Sequence, residues 1–344
     1  MTTLGQITRY LESIAPLSYQ ESYDNAGLLT GNYGQEVTGV LVALDAIEAV
    51  VDEAIERSCN VVVAHHPIIF RGLKKLNGKN YVERTIIKAI KHDIAIYAIH
   101  TNLDNVYYNG VNQQIADKIG LQDTRILQPS SFLYALQVTV PEKYQEALCM
   151  ELTTLGAEAI SITRVSLPEN NLSSQSKLEF KLPGGLKNTI VAALHQLQDI
   201  EITDYALTVL ENKDTTVGAG MIGHLAEPLS GKTFLKLIKS SMAISCIRYT
   251  AIPEKPIQKV ALCGGAGSFL LSAAINAGAD AFISGDFKYH EFFDADNKIL
   301  VADIGHFESE QYTTELLAEL LSKKFTNFAI HCVKTNTNPV NYFF

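Results

Sequence analysis

The chain has no run of about 18 consecutive apolar residues, so it offers no membrane-spanning helix. It also lacks a basic stretch followed by an apolar block at its start, which argues against a secretory signal. Ile7, Tyr10, Leu11 and Ile14 instead recur at helical spacing and predict an amphipathic first helix. Cysteine is sparse and scattered: Cys59, Cys149, Cys246, Cys263 and Cys332 are odd in number and form no CxxC, which excludes a disulfide framework or a cysteine-zinc knuckle. Positive charge is short as well. Lys and Arg total 28 against 37 Asp and Glu, and the net charge of -9 weighs against capture of a nucleic-acid backbone. No Gly-x-Ser-x-Gly elbow occurs, which weighs against covalent catalysis. These absences predict a cytoplasmic protein that works without a membrane.

What remains is ample core material. The 344 residues are 47% hydrophobic and 19% charged, enough for two domains of about 150 residues each. From Val37 to Leu121 the pattern alternates strand and helix: Val37–Leu44, Ile47–Arg57, Val61–Ala64, Val82–Lys91 and Ile94–Ile99. Such βα units predict a mainly parallel, doubly covered sheet with its ligand site beyond the carboxyl ends of the strands. The middle differs. Leu133–Val140, a Pro141-led helix, Ile160–Val165 and Lys177–Phe180 around a polar Asn170–Ser176 loop, a Leu186–Leu197 helix and Ile202–Leu210 follow a βαββαβ order. That order predicts a ferredoxin-like insert. Glu211–Gly223 then reads as a return crossing, after which Lys259–Leu262, Phe269–Ala277, Ala281–Ser284 and Leu300–Ala302 resume the alternation. The expected organisation is α/β, a three-layer outer domain of two similar βα halves (1–131 and 213–344) interrupted by an α+β domain (132–212).

Three strand ends carry histidine and carboxylate. Ala64-His65-His66-Pro67 closes one strand, and adjacent histidines of an extended chain start toward opposite sides, which suits two neighbouring ions. His100-Thr101-Asn102-Leu103-Asp104 closes a second; Asp104 suits a divalent cation, and His100 a ligand or an orienting group. Asp303-Ile304-Gly305-His306-Phe307-Glu308-Ser309-Glu310 closes a third, and a helix starting near Gly305 puts His306 and Glu310 on one face and Glu308 elsewhere. Singly, each has a structural explanation: a histidine pair, a turn, carboxylates at a helix start. Together, His65, His66, Asp104, His306 and Glu310 suit two ions sharing a carboxylate, with imidazoles favouring Zn, Fe, Mn or Co. Gly264-Gly265-Ala266-Gly267-Ser268 lacks both the dinucleotide fingerprint and the P-loop lysine and reads as a tight βα turn. Asp286, Lys288, Tyr289 and His290 follow another strand and are candidate substrate-facing groups.

These motifs, HHPIIF at 65–70, HTNLD at 100–104, GGAGS at 264–268, SGDFKYH at 284–290 and DIGHFESE at 303–310, resemble the GTP cyclohydrolase 1 type 2 (NIF3-like) family. Tyr23-Asp24-Asn25-Ala26-Gly27-Leu28 looks like that family's N-terminal DNxGL element. The resemblance implies a toroidal homohexamer and a dinuclear site in which His65, His66, Asp104, His306 and Glu310 match the metal ligands, with Glu310 bridging. It also implies a PII-like or CutA-like insert; the HPYE-like stretch of longer relatives is absent from residues 132–212, and Met221 stands where an arginine is common. The leading expectation is a metal-dependent hydrolase in which metal-activated hydroxide attacks a purine nucleotide or related small molecule, with His100, Asp286 or His290 moving the proton. The alternative is a non-enzymatic hexameric scaffold or regulator with a structural or sensing metal site.

Overall fold

The computed structural model describes residues 1–130, 132–165, 174–197 and 199–343. The chain divides into two compact units: 1–128 together with 218–344, and 129–217. Residues 132–212 fall inside the second of these.

In the first unit, β1 (Gly27–Thr30), β2 (Gly39–Asp45), β3 (Val61–His66), β4 (Ala95–Ala98) and β5 (Gln122–Pro129) come from the first segment. The second unit contributes β6 (Phe132–Pro141), β7 (Glu158–Val165), β8 (Gln175–Pro183) and β9 (Asp204–Lys213). The last segment returns with β10 (Gly218–Leu229), β11 (Arg248–Tyr249), β12 (Ile257–Ala266), β13 (Ala281–Gly285), β14 (Leu300–Asp303) and β15 (Ala329–Cys332). The stretch expected as a return crossing, Glu211–Gly223, is largely strand: β9 runs through Lys213 and β10 starts at Gly218.

Two sheets build the first unit. One runs β1-β4-β3-β2-β15 and the other β11-β14-β13-β12-β10-β5. Their centres are parallel as the βα alternation predicts: β2, β3, β4 and β15 in one, β12, β13 and β14 in the other. Antiparallel strands flank them, β1 beside β4, β10 beside β12 and β11 beside β14. The two outer segments do not close separately. The first lends β5 to the second sheet, and the last lends β15 to the first.

Alternation along each strand sends side chains to two cores. Val40, Val42, Val61, Val63 and Tyr97 of one sheet share a core with Val260, Leu262, Ile283 and Ala302 of the other and with the first helix, Leu4–Ile14. The intervening residues Leu41, Ala43, Val62, Ala64 and Ile96 pack on helices Glu48–Glu56 and Tyr81–Lys91. Ala261, Phe282 and Val301 do the same against Leu270, Leu271 and Ala274. Strands covered on both faces leave only their ends for polar chemistry, and the carboxyl ends of β3, β4 and β14 carry the three motifs.

The second unit is a four-stranded antiparallel sheet, β7-β8-β6-β9, with helices Gln145–Thr154 and Lys187–Gln196. Its core gathers Leu136, Val138, Leu148, Leu152, Phe180 and Ile190. Residues 170–173 of the expected polar loop lie outside the described residues, and Gln175 and Ser176 already belong to β8.

Candidate metal centre

His65 and His66 are the last two residues of β3, immediately before Pro67. Their rings lie with centroids 4.9 Å apart. Both Nε2 atoms reach Glu310, at 3.8 Å from Oε1 for His65 and 2.9 Å from Oε2 for His66. Asp104 ends the short helix Thr101–Asp104, its Oδ1 3.5 Å from His65 Nε2. That turn is fixed from below: Asn102 donates to Ala15 O and accepts from the His100 amide, while Asn112 donates to the Asp104 carbonyl.

The second sheet supplies the other half. Helix His306–Glu310 starts after Gly305, and His306 Nε2 lies 3.2 Å from Glu310 Oε2 one turn on. His306 Nε2 is also 3.2 Å from His66 Nε2. Glu310 is 3% exposed and comes close to the backbone of Gly265, where a Cβ would overlap its Oε1. Gly265 also has φ +62°, a conformation that favours glycine. The amides of this turn are satisfied internally: Gly264 N donates to Asn112, Gly265 N to Ser309 Oγ and Gly267 N to Ser284 Oγ. The glycines serve close approach to Glu310.

Four histidines follow one rule. His65 Nδ1 contacts the Ile99 carbonyl, His66 Nδ1 contacts Asp45, His306 Nδ1 contacts Asp286 and His100 Nδ1 contacts Asp24, all within 2.7–2.8 Å. A carbonyl only accepts, so His65 Nδ1 carries the proton and its Nε2 presents a lone pair. That Nε2 and Asp104 Oδ1 are both buried and both lack a hydrogen-bond partner. Unpaired buried polar atoms are rare in native proteins, and a divalent cation would satisfy an imidazole and a carboxylate lone pair together. The donor set fits a metal.

The charges agree. Burial works against a charged His66, but the Glu310 and Asp45 carboxylates overcome it and hold its pKa up at about 10. His306 is likewise raised to about 9, against burial, by Glu310 and Asp286. Burial is outweighed at Glu310 too, where His66 and His306 hold the carboxyl well below its ordinary range. Asp104 goes the other way: burial, then the nearby Glu310 charge, pushes it up to about 7. Protons on the metal-free histidines thus stand where a cation's charge would. Burial also pushes the Cys263 thiol up, keeping it neutral and unreactive.

The five expected ligands therefore meet. Of the three expected proton carriers, His100 lines the same cavity, which measures about 970 Å³. Asp24 orients it, and its carboxyl is lowered to about 2, against burial, by hydrogen bonds from His100 and Thr101. Asp286 also lines the cavity, but its carboxylate is taken by His306. His290 is not brought there. It is exposed against Tyr289 and Phe293 in the turn Tyr289–Ala295 and does not line the cavity. Sequence reasoning missed Asp45, Arg248, Asn338, Pro339, Val340 and Tyr342, all of which line the cavity. Asp45 had a findable signal, since it ends β2 beside His66 in register.

Fold and site together define a mixed α/β protein with several sheets and a carboxylate-centred histidine cluster at strand ends. The chain belongs to the Duf34/NIF3 (NGG1p interacting factor 3) family, whose model matches residues 2–339. It is 33% identical over 371 residues to the GTP cyclohydrolase 1 type 2 homolog of Staphylococcus epidermidis, covering 98% of this chain and 99% of that one. The Halalkalibacterium halodurans homolog of the same name is 34% identical over 364 residues, with 98% of each chain covered. Among solved structures, a Bacillus cereus protein related to NIF3 matches with a TM-score of 0.82 at 31% identity, over 99% of both chains. Among the described residues no helix is long and apolar enough to cross a membrane.

Proposed function

We propose that this protein is a metal-dependent hydrolase holding two divalent ions about Glu310, His65 and Asp104 serving one and His66 and His306 the other. The observation that carries the reading is the pair of buried, unpartnered atoms, His65 Nε2 and Asp104 Oδ1, at the edge of a three-histidine cluster. Imidazole with carboxylate favours Zn, Fe, Mn or Co. Ions bound there would supply Lewis acidity and activation of water. The protein's own work is positional. The Ile99 carbonyl, Asp45 and Asp286 each hold a ring through Nδ1, so that Nε2 is the ligating atom. His100, oriented through Nδ1 by Asp24, is the group suited to hold or move a proton beside the ligands.

The cavity has room for a nucleotide, with Tyr23, Phe70 and Phe269 as apolar surfaces and the cation Arg248 in its lining. The names of the curated relatives contain GTP cyclohydrolase, and a purine nucleotide is the first substrate class to test. The same reading includes a ferredoxin-like fold for the insert, residues 132–212, supported by the order β7-β8-β6-β9, and a cytoplasmic homohexamer, supported by the motif resemblance. Sedimentation of a monomer at micromolar concentration would refute the hexamer.

Elemental analysis of purified protein, then a nucleotide hydrolysis screen with the metal found, tests the function. The reading expects two ions per chain and turnover that Glu310→Gln abolishes. Two ions with no turnover on any purine nucleotide would favour the scaffold or regulator. No metal at all would defeat both.

A further inference from the structure

After β15 the chain forms neither helix nor strand through residue 343, and most of it is exposed. Thr337 is the exception. It is 8% exposed, the one buried residue between 334 and 343. Its hydroxyl donates to Asp45 Oδ2 at 2.7 Å, while Oδ1 of the same carboxylate contacts His66 Nδ1 at 2.8 Å.

The segment is pinned on either side of Thr337. Upstream, Glu53 accepts from the amides of Lys334 and Thr335 and from the Thr335 hydroxyl. Downstream, Asn338 Nδ2 donates to Glu308 Oε1 on the helix that carries His306 and Glu310. The segment thus ties the helix behind β2 to the ligand helix of the other sheet, and Pro339, Val340 and Tyr342 continue it along the cavity wall.

We infer that Thr337 is a positioning residue of the metal centre, acting on His66 through Asp45. A carboxylate on a single methylene turns freely about its last torsion, which has a broad, roughly two-fold profile. A contact on one oxygen leaves that rotation soft. Bonds on both oxygens, to an imidazole and a buried hydroxyl, fix the carboxylate plane and with it the ring. The consequence for metal rests on the reading that His66 is a ligand; the Thr337–Asp45 link does not.

The experiment titrates Co or Zn against a competing chelator in the wild-type, Thr337→Val and Thr337→Ser proteins. Valine keeps the shape without the donor, so affinity at the His66 position should fall about 3- to 10-fold. Serine keeps the donor and should restore it to within about two-fold, which a packing role for the methyl group would not produce. Thr216→Val, which removes a comparable threonine–Asp214 bond outside the centre, controls for loss of such a bond as such and should not move the affinity. A stability cycle of Thr337→Val with Asp45→Asn in the metal-free protein reads the link separately, and the two changes should be less than additive. Unchanged affinity in Thr337→Val, or no rescue by serine, would overturn the inference. An additive cycle would overturn it with or without metal. Should the wild-type chain take no metal while the cycle shows coupling, the link stands and only the metal reading fails.

Discussion

His65 and His66 are neighbours in sequence, yet their rings are held in unlike ways. His65 is fully buried and leans on a neutral backbone carbonyl. His66 leans on a carboxylate and is partly open to the cavity, as His306 is with Asp286. A carbonyl fixes a tautomer without adding charge; a carboxylate fixes it and also makes the imidazole more basic. On the proposed reading the first position would be set by burial and geometry and the second by charge, with Glu310 common to both. One cluster would then offer two chemically different places for a cation.

Mutation can break that comparison at its shared point first. Glu310→Gln should weaken metal at both positions by well over about 100-fold, beyond the 10–100-fold cost of removing an outer partner, as elemental analysis after dialysis would read. Asp104→Asn should deplete the His65 position and leave part of the other; equal loss from both would erase the distinction. Asp45→Asn should weaken the His66 position by about 10- to 100-fold and spare the carbonyl-held one. Gly265→Ala is smaller and affects both. A Cβ there overlaps Glu310 Oε1, and the left-handed backbone adds about 1–2 kcal/mol of strain, so thermal stability and metal content should fall together.

Acid should sharpen the contrast. His66 and His306 have pKa values held near 10 and 9 in the metal-free protein, so an ion entering the second position displaces protons at neutral pH. Affinity there should drop steeply as pH falls below about 9, and uptake should release protons measurable by calorimetry in buffers of different ionisation heat. The linkage sign for the metal-free fold is the reverse. Raised histidine pKa values contribute stability that is full below about 6.5 and is lost as pH climbs through 9 to 10. Removing metal should therefore cost most in alkaline solution.

The two kinds of support were unequally legible in the sequence. Apolar runs ending in His65-His66, His100 and Asp303 gave away the strand ends, and i, i+4 spacing singled out Glu310. The partners behind the rings were harder to read. The Ile99 carbonyl carries no side-chain identity, and Asp45 lies on a neighbouring strand. The stretch after β13 misled for a physical reason. Phe287 is buried and anchors the chain, so Asp286 stays beside His306 while the turn Tyr289–Ala295 carries His290 out to solvent. The flanking strands β1, β5, β11 and β15 escaped notice because none has the continuous buried run of a central strand; the pattern of β15 is half exposed and that of β11 wholly so.

The measurement that tests the shared carboxylate most directly is anomalous scattering from crystals of the metal-loaded protein. The account predicts two metal peaks per chain, each bonded to one oxygen of Glu310, one also bonded to His65 and Asp104 and the other to His66 and His306. A single peak, or two peaks of which only one touches Glu310, would contradict it.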